Sequence, residues 1–223
     1  MTRRMVGPLL FGVLVIAVLL ALGVWQVQRL AWKTAILAEI DARLAAAPVA
    51  IPAHPDPVTD RYLRVRTEGR IEPGELHVYT SAPPRGVGYR VIAPLALADG
   101  RRILLDRGFV PIGEKDAARR QGPIVAEGNL VWPQETDSFT SAPDREKNIW
   151  FARDVPLMAE ALGTEPVMLA VAASDDPGAP MPMPVTVNVP NDHLQYAITW
   201  FALAAVWAMM TGYLLWRIKR RID

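Results

Sequence analysis

The sequence predicts a membrane protein in which two transmembrane helices flank a mainly antiparallel β (α+β) domain. Three observations predict it. Two long uncharged apolar runs lie near the ends of the 223-residue chain, the tails and the middle carry opposite charge, and short alternating segments fill the interval between Pro- and Gly-rich turns. Composition narrows the function. With no cysteine, structural disulfides, zinc–thiolate sites, iron–sulfur clusters and covalent CxxCH haem attachment are ruled out. A formal net charge of +1 argues against a general nucleic-acid binder.

Residues 1–4 form a short tail, and the first run, residues 5–28, carries no charge between Arg4 and Arg29. About 20 apolar residues suffice to cross the hydrocarbon of a bilayer. Between Met5 and Trp25 this run holds thirteen Leu, Ile, Val or Phe residues, which favours insertion by about 4–8 kcal/mol. A cleaved signal peptide is the rival reading, but its apolar core is shorter than this run, at about 7–15 residues. Leu30, Ile36, Leu37, Ile40 and Leu44 continue at helical spacing, so residues 29–47 read as a helical extension stopped at Pro48. The second span, residues 191–216, has only seven such apolar residues, worth about 2–4 kcal/mol. It is expected to lean on helix packing through Ala204, Ala208 and Gly212, spaced small-xxx-small.

Residues 217–223 form the second tail. The tails hold six Lys/Arg against one acid (+5), leaving 18 bases against 22 acids (−4) elsewhere. The positive-inside rule then places both tails in the cytoplasm and residues 48–190 outside, in the periplasm of a bacterial inner membrane. Within that region Leu63, Val65 and Thr67 alternate with charged residues, as in a half-buried strand. Further strands are expected at 76–79, 89–97, 102–110, 124–132, 148–152 and 167–172. Asp99-Gly100 marks a hairpin between the third and fourth. Asp154 followed by Pro156 marks the start of a short helix through Leu162. The proline-bearing stretches 48–60 and 175–190 read as linkers, and the whole as a small antiparallel sheet or partial barrel.

At Gly23-Val24-Trp25-Gln26-Val27-Gln28-Arg29-Leu30-Ala31-Trp32-Lys33 the chain resembles the surfeit-locus family of cytochrome c oxidase assembly factors. Four further stretches follow in register. They are Tyr62-x-Arg64-Val65 with Gly69; Gly88-Tyr89-x-Val91-x-x-Pro94-Leu95; Arg107-Gly108 with Val110-Pro111; and Asn191-x-His193-Leu194-x-Tyr196-Ala197 with Trp200-Phe201. Phe109 stands where that family usually has Trp, and Asp106 where Asn is common. The resemblance implies two spans around an outer domain, and a role in assembling the haem–copper centre. It also implies partnership with the largest oxidase subunit and with haem a synthase, besides the lipid bilayer. It further implies that haem a is bound through a histidine on the second span, here His193.

His193 stands out on its own chemistry as well. Asn191 or Asp192 can cap the helix and leave His193 in its first turn, and neutral imidazole is a common iron ligand. At 100° per residue His193, Ala197, Trp200, Ala204, Ala208 and Thr211 share one stripe, an apolar wall for a flat macrocycle. The alternative has the alanines packing on the first span. Arg29 and Lys33, near the outer end of the first span, are candidates for haem propionate contacts or for snorkelling beside Trp25 and Trp32. His54 and His77 are candidates for a second iron ligand. Met168, Met181 and Met183 form a weak soft-metal pattern that would suit a periplasmic copper donor. No nucleophile–base spacing is present, so the expectation is a protein that is not an enzyme. A cofactor-free scaffold holding an assembly intermediate is the other reading.

Overall fold

The computed structural model describes residues 3–187 and 190–221. Its elements run α1 (Arg3–Ala45), β1 (Arg64–Ile71), β2 (Leu76–Ser81), β3 (Val87–Leu97), β4 (Arg102–Pro111), β5 (Gly122–Val131), α2 (Val155–Leu162), β6 (Met168–Ser174) and α3 (His193–Arg220). Two compact units result, one of residues 1–39 with 187–223 and the other of residues 40–186.

The first unit holds the spans. Both α1 and α3 are long and apolar enough to cross a membrane. Leu10, Phe11, Leu14, Leu194 and Ile198 are exposed, which suits lipid contact and not the core helix of a soluble protein. The helical extension read from sequence is continuous with the first span. At about 1.5 Å per residue the 43 residues of α1 run about 65 Å, roughly twice the hydrocarbon thickness.

In the second unit the strand order is β1-β5-β6-β4-β3-β2, and β1 also pairs with β3. The pairings therefore form a ring of five strands, with β2 attached outside on β3. Strand β3 serves both neighbours on one edge, β2 along Val87–Ile92 and β1 along Leu95–Leu97. A register shift at Val91/Ile92 leaves Arg107 of β4 unmatched, and such a bulge bends the sheet where closure needs it. The expected Asp99-Gly100 hairpin is present. Gly100 has φ 89°, and the Asp99 carboxylate accepts from Arg101 N at 3.0 Å.

Alternation along β4 divides two cores. Ile103 and Leu105 point into the ring with Val65, Leu95, Ala126, Leu130 and Leu169. Leu104 points outward, under Val155, Met158 and Ala159 of α2 and beside Met168. Each such buried aliphatic side chain contributes about 1.5–3 kcal/mol relative to exposure. Helix α2 starts where the sequence indicates. Asp154 Oδ1 accepts from Leu157 N at 3.0 Å, and Gly163 closes the C-terminus at φ 63°.

The sheet is mainly antiparallel, as expected; among its strands only the pairing of β6 with β4 is parallel, and β6 runs antiparallel to β5. Two expectations need correction. The segment expected as a strand at 148–152 makes only isolated bridges, Val78 with Trp150 and Asp144 with Ile149. The stretch from Asp175 onward is also less free than a linker. Asp176 is buried against Arg107 at 2.9 Å, and Met181 exchanges backbone hydrogen bonds with Phe109.

Candidate functional site

Within the span unit α1 and α3 pack closely because α1 supplies glycine at two crossing points. A Cβ on Gly12 would lie 2.4 Å from Thr211 Cγ2, and one on Gly23 would lie 2.6 Å from the Phe201 ring. The Phe11 and Trp207 rings meet edge to face at 6.1 Å. Ala197 and Ala204 are buried in this seam. Of the stripe below His193, Ala197 and Ala204 are thus taken up by helix packing, whereas Trp200 is half-buried and Ala208 exposed. The small-xxx-small spacing is not the seam, since Ala208 is exposed and a Cβ on Gly212 would meet nothing. Close approach comes from the first helix, whose glycines lie eleven residues, about three turns, apart.

At one end of the seam His193 opens α3. Asp192 occupies the N-cap position without a side-chain cap bond, so the capping expected from Asn191 or Asp192 is not made there. His193 Nδ1 lies 2.7 Å from Gln26 Oε1. Among the described residues its Nε2 has no hydrogen-bond partner, and the side chain is only partly buried. Lys33 donates to the Pro190 carbonyl. Gln26 and Lys33 are seven residues, about 10 Å, apart on α1, so two bonds fasten the start of α3 to one face of the first helix.

The other residues singled out from sequence around these spans are placed as follows. Trp200, about two turns beyond His193 on the same stripe of α3, is half-buried, while Tyr196 is exposed. Trp25 and Trp32 are exposed on α1, and the Arg29 guanidinium stacks over the Trp32 ring at 4.3 Å. Arg29 thus lies against its own helix's indole, as a cation near a span end commonly does.

The remaining motif residues build the β domain. Tyr62 enters β1 with φ 68°, and its carbonyl accepts from buried Asn129 at 3.1 Å. A Cβ on Gly88 would lie 2.1 Å from Val110 O, and one on Gly108, at φ 113°, would lie 2.1 Å from Met181 O. Tyr89 packs edge to face on His77 and Tyr79, at 6.0 and 5.8 Å. Arg107 is the bulged residue whose guanidinium meets Asp176.

His77 is not solvated. It is 4% exposed, with Asn148 Nδ2 3.2 Å from Nδ1 and Glu75 Oε1 3.1 Å from Nε2. Both ring nitrogens are engaged, so it is no open ligand. His54 is exposed and lines an open cleft of about 730 Å³ with Pro55, Trp132 and Pro166. Met168 is fully buried against α2, whereas the Met181 sulfur faces the Arg85 guanidinium. Their partners on β4, Leu104 and Phe109, are five residues and about 17 Å apart. Met168 is therefore not brought together with Met181.

Two features escaped the sequence reading. The pairing of Gln26 with His193 joins positions 167 apart, and its signal is an amide within an apolar run. The enclosure of His77 depends on Asn148 and Arg119, to which no local pattern points.

Fold and seam together define a class: a two-pass α+β membrane protein, with its β domain inserted between two spans that pair through glycine. The match to known proteins is more particular. A model of the SURF1 family covers residues 13–205. Surfeit locus protein 1 of Rattus norvegicus is 32% identical over 219 residues, covering 88% of this chain and 70% of the rat protein. That of Homo sapiens is 33% identical over 217 residues, covering 86% and 71%. A SURF1-like protein of Drosophila melanogaster is 31% identical over 256 residues, covering 99% and 81%. The chain belongs to the SURF1 family.

Proposed function

We propose that the protein is an assembly factor for a haem–copper cytochrome c oxidase, binding haem a and assisting its insertion into the largest oxidase subunit. The observation that carries this reading is the His193 imidazole, held through Nδ1 by Gln26 and open at Nε2. One nitrogen anchored and the other free is the arrangement of an axial ligand. Haem a is cargo in this proposal, the redox group of the finished oxidase, and no reaction is assigned to the chain itself. Trp200, Arg29 and Lys33 are the nearby candidates for contact with its ring and carboxylates. The largest oxidase subunit and haem a synthase are the proposed partners.

The proposed setting is a bacterial inner membrane, with both termini cytoplasmic and the β domain periplasmic. The +5 tails against the −4 remainder support it. The close fit of α1 against α3 supports an uncleaved first span.

The test is purification from cells that make haem a, followed by a reduced-minus-oxidised spectrum and identification of the pigment. His193→Ala should remove or strongly shift the spectrum while the protein stays inserted, since alanine offers no donor nitrogen. His54→Ala is the control and should retain the pigment. Full haem content in His193→Ala would overturn the ligand assignment and favour a cofactor-free scaffold.

A further inference from the structure

The run from Met5 to Gln28 contains two amides, and they behave differently. Gln28 is exposed, whereas Gln26 is 8% exposed and turned into the helix seam. An amide buried in a span is costly unless it is bonded, and its partner names its use. The partner here is His193 Nδ1, at 2.7 Å. A carbonyl oxygen only accepts, so this bond requires the proton on Nδ1 and leaves the lone pair on Nε2. The opposite tautomer would carry a hydrogen on Nε2 and present no ligand at the open side of the ring.

We infer that Gln26 is the positioning residue of the haem site: its carbonyl sets the tautomer and the ring orientation of His193, and strengthens Nε2 as a donor to iron. The inference rests on the haem-binding reading above and assigns the first helix a part in it. Groups that accept from the remote nitrogen of a ligating histidine raise its basicity, and their loss typically weakens metal binding about 10–100-fold. Lys33 supports the same geometry from one heptad away, because its bond to the Pro190 carbonyl holds the chain entering α3.

The experiment uses the full chain in two states. In the cofactor-free protein in lipid bilayers, 15N-histidine magnetic resonance should show His193 protonated on Nδ1 and bare on Nε2. Gln26→Leu, similar in size and suited to a span, should give a mixture of tautomers. Haem a is then titrated into detergent-solubilised protein. Gln26→Leu should bind about 10–100-fold more weakly, with a raised midpoint potential. Gln26→Glu, which keeps an acceptor and adds charge to it, should restore binding with a midpoint below that of the unaltered protein.

His193→Ala separates the two claims. If it binds haem a normally, the haem-binding reading fails and this inference with it. If it loses haem a while Gln26→Leu keeps unaltered affinity and midpoint, the role of Gln26 is overturned and the reading survives. A proton on Nε2 of the unaltered protein also overturns the role of Gln26. So does equal loss in Gln26→Leu and Gln26→Glu with helix content intact, since packing would then explain the site.

Discussion

Glu75 and His77 on or beside β2 meet Arg119 and Asn148 from two later loops, and Glu75 is the carboxylate of the group. Burial raises its carboxyl, but hydrogen bonds from His77 and Arg119 and the Arg119 charge outweigh that and lower it from 4.5 to about 2. A carboxyl depressed in the folded state adds stability that is complete above pH 4.5 and disappears as pH falls toward 2. Urea unfolding of the full chain in detergent should therefore show a midpoint that drops through this window, and Glu75→Gln should make the drop shallower. At Gly108 the constraint is steric. Positive φ and the Met181 carbonyl leave no room for a methyl group, so Gly108→Ala should destabilise by about 1–3 kcal/mol, measured by the same unfolding. Neither constraint is legible locally. His77 sits in an alternating strand and reads as a surface residue until Asn148 and Arg119 arrive, and Arg107-Gly108 reads as ordinary strand until Asp176 and Met181 return to it.

Elements whose signals are local were legible from the chain. Asp99-Gly100 marks the β3–β4 hairpin, Asp154-Pro156 marks the start of α2, and both spans appear as uncharged runs. Asp154→Ala should cost about 1 kcal/mol of stability by removing the cap to Leu157, read by chemical unfolding. Partnership between elements was less legible. The parallel docking of β6 on β4 rests on pairing between residues more than sixty apart, and periodicity reports which face is buried without naming the neighbour. The span seam is a similar case. The alanines of α3 drew attention, yet the close approach depends on Gly12 and Gly23. Replacing both glycines by Leu should overpack the seam at about 1–3 kcal/mol per site. It should lower the melting temperature in detergent, while Gly212→Leu, facing open space, should leave it nearly unchanged.

For the molecule as a whole, the candidate site was half legible. His193 was visible as a motif residue and as a lone imidazole at a helix start, but its partner became evident only once the two ends of the chain were side by side. The proposed orientation also makes a prediction. The loop around Phe139, which is 91% exposed, should be cut by protease added to spheroplasts, while a C-terminal tag survives. Cleavage should be slower at 176–187, where Asp176 and Met181 fasten the chain to the β domain. Loss of the tag with an intact β domain would invert the topology.

The position of β6 bears on how the protein is made. It is the final strand to leave the ribosome, yet it occupies an interior place between β4 and β5. Until Met168–Ser174 joins them, those two strands present open edges, a state prone to wrong pairing. Closing a sheet through so distant a segment is intrinsically slow. A transcript stopped after β5 would yield no smaller folded domain, only an anchored chain with its edges exposed. Completion of the domain is thus tied to translation reaching within twenty residues of α3, so the β domain can close only when the second span is about to be made.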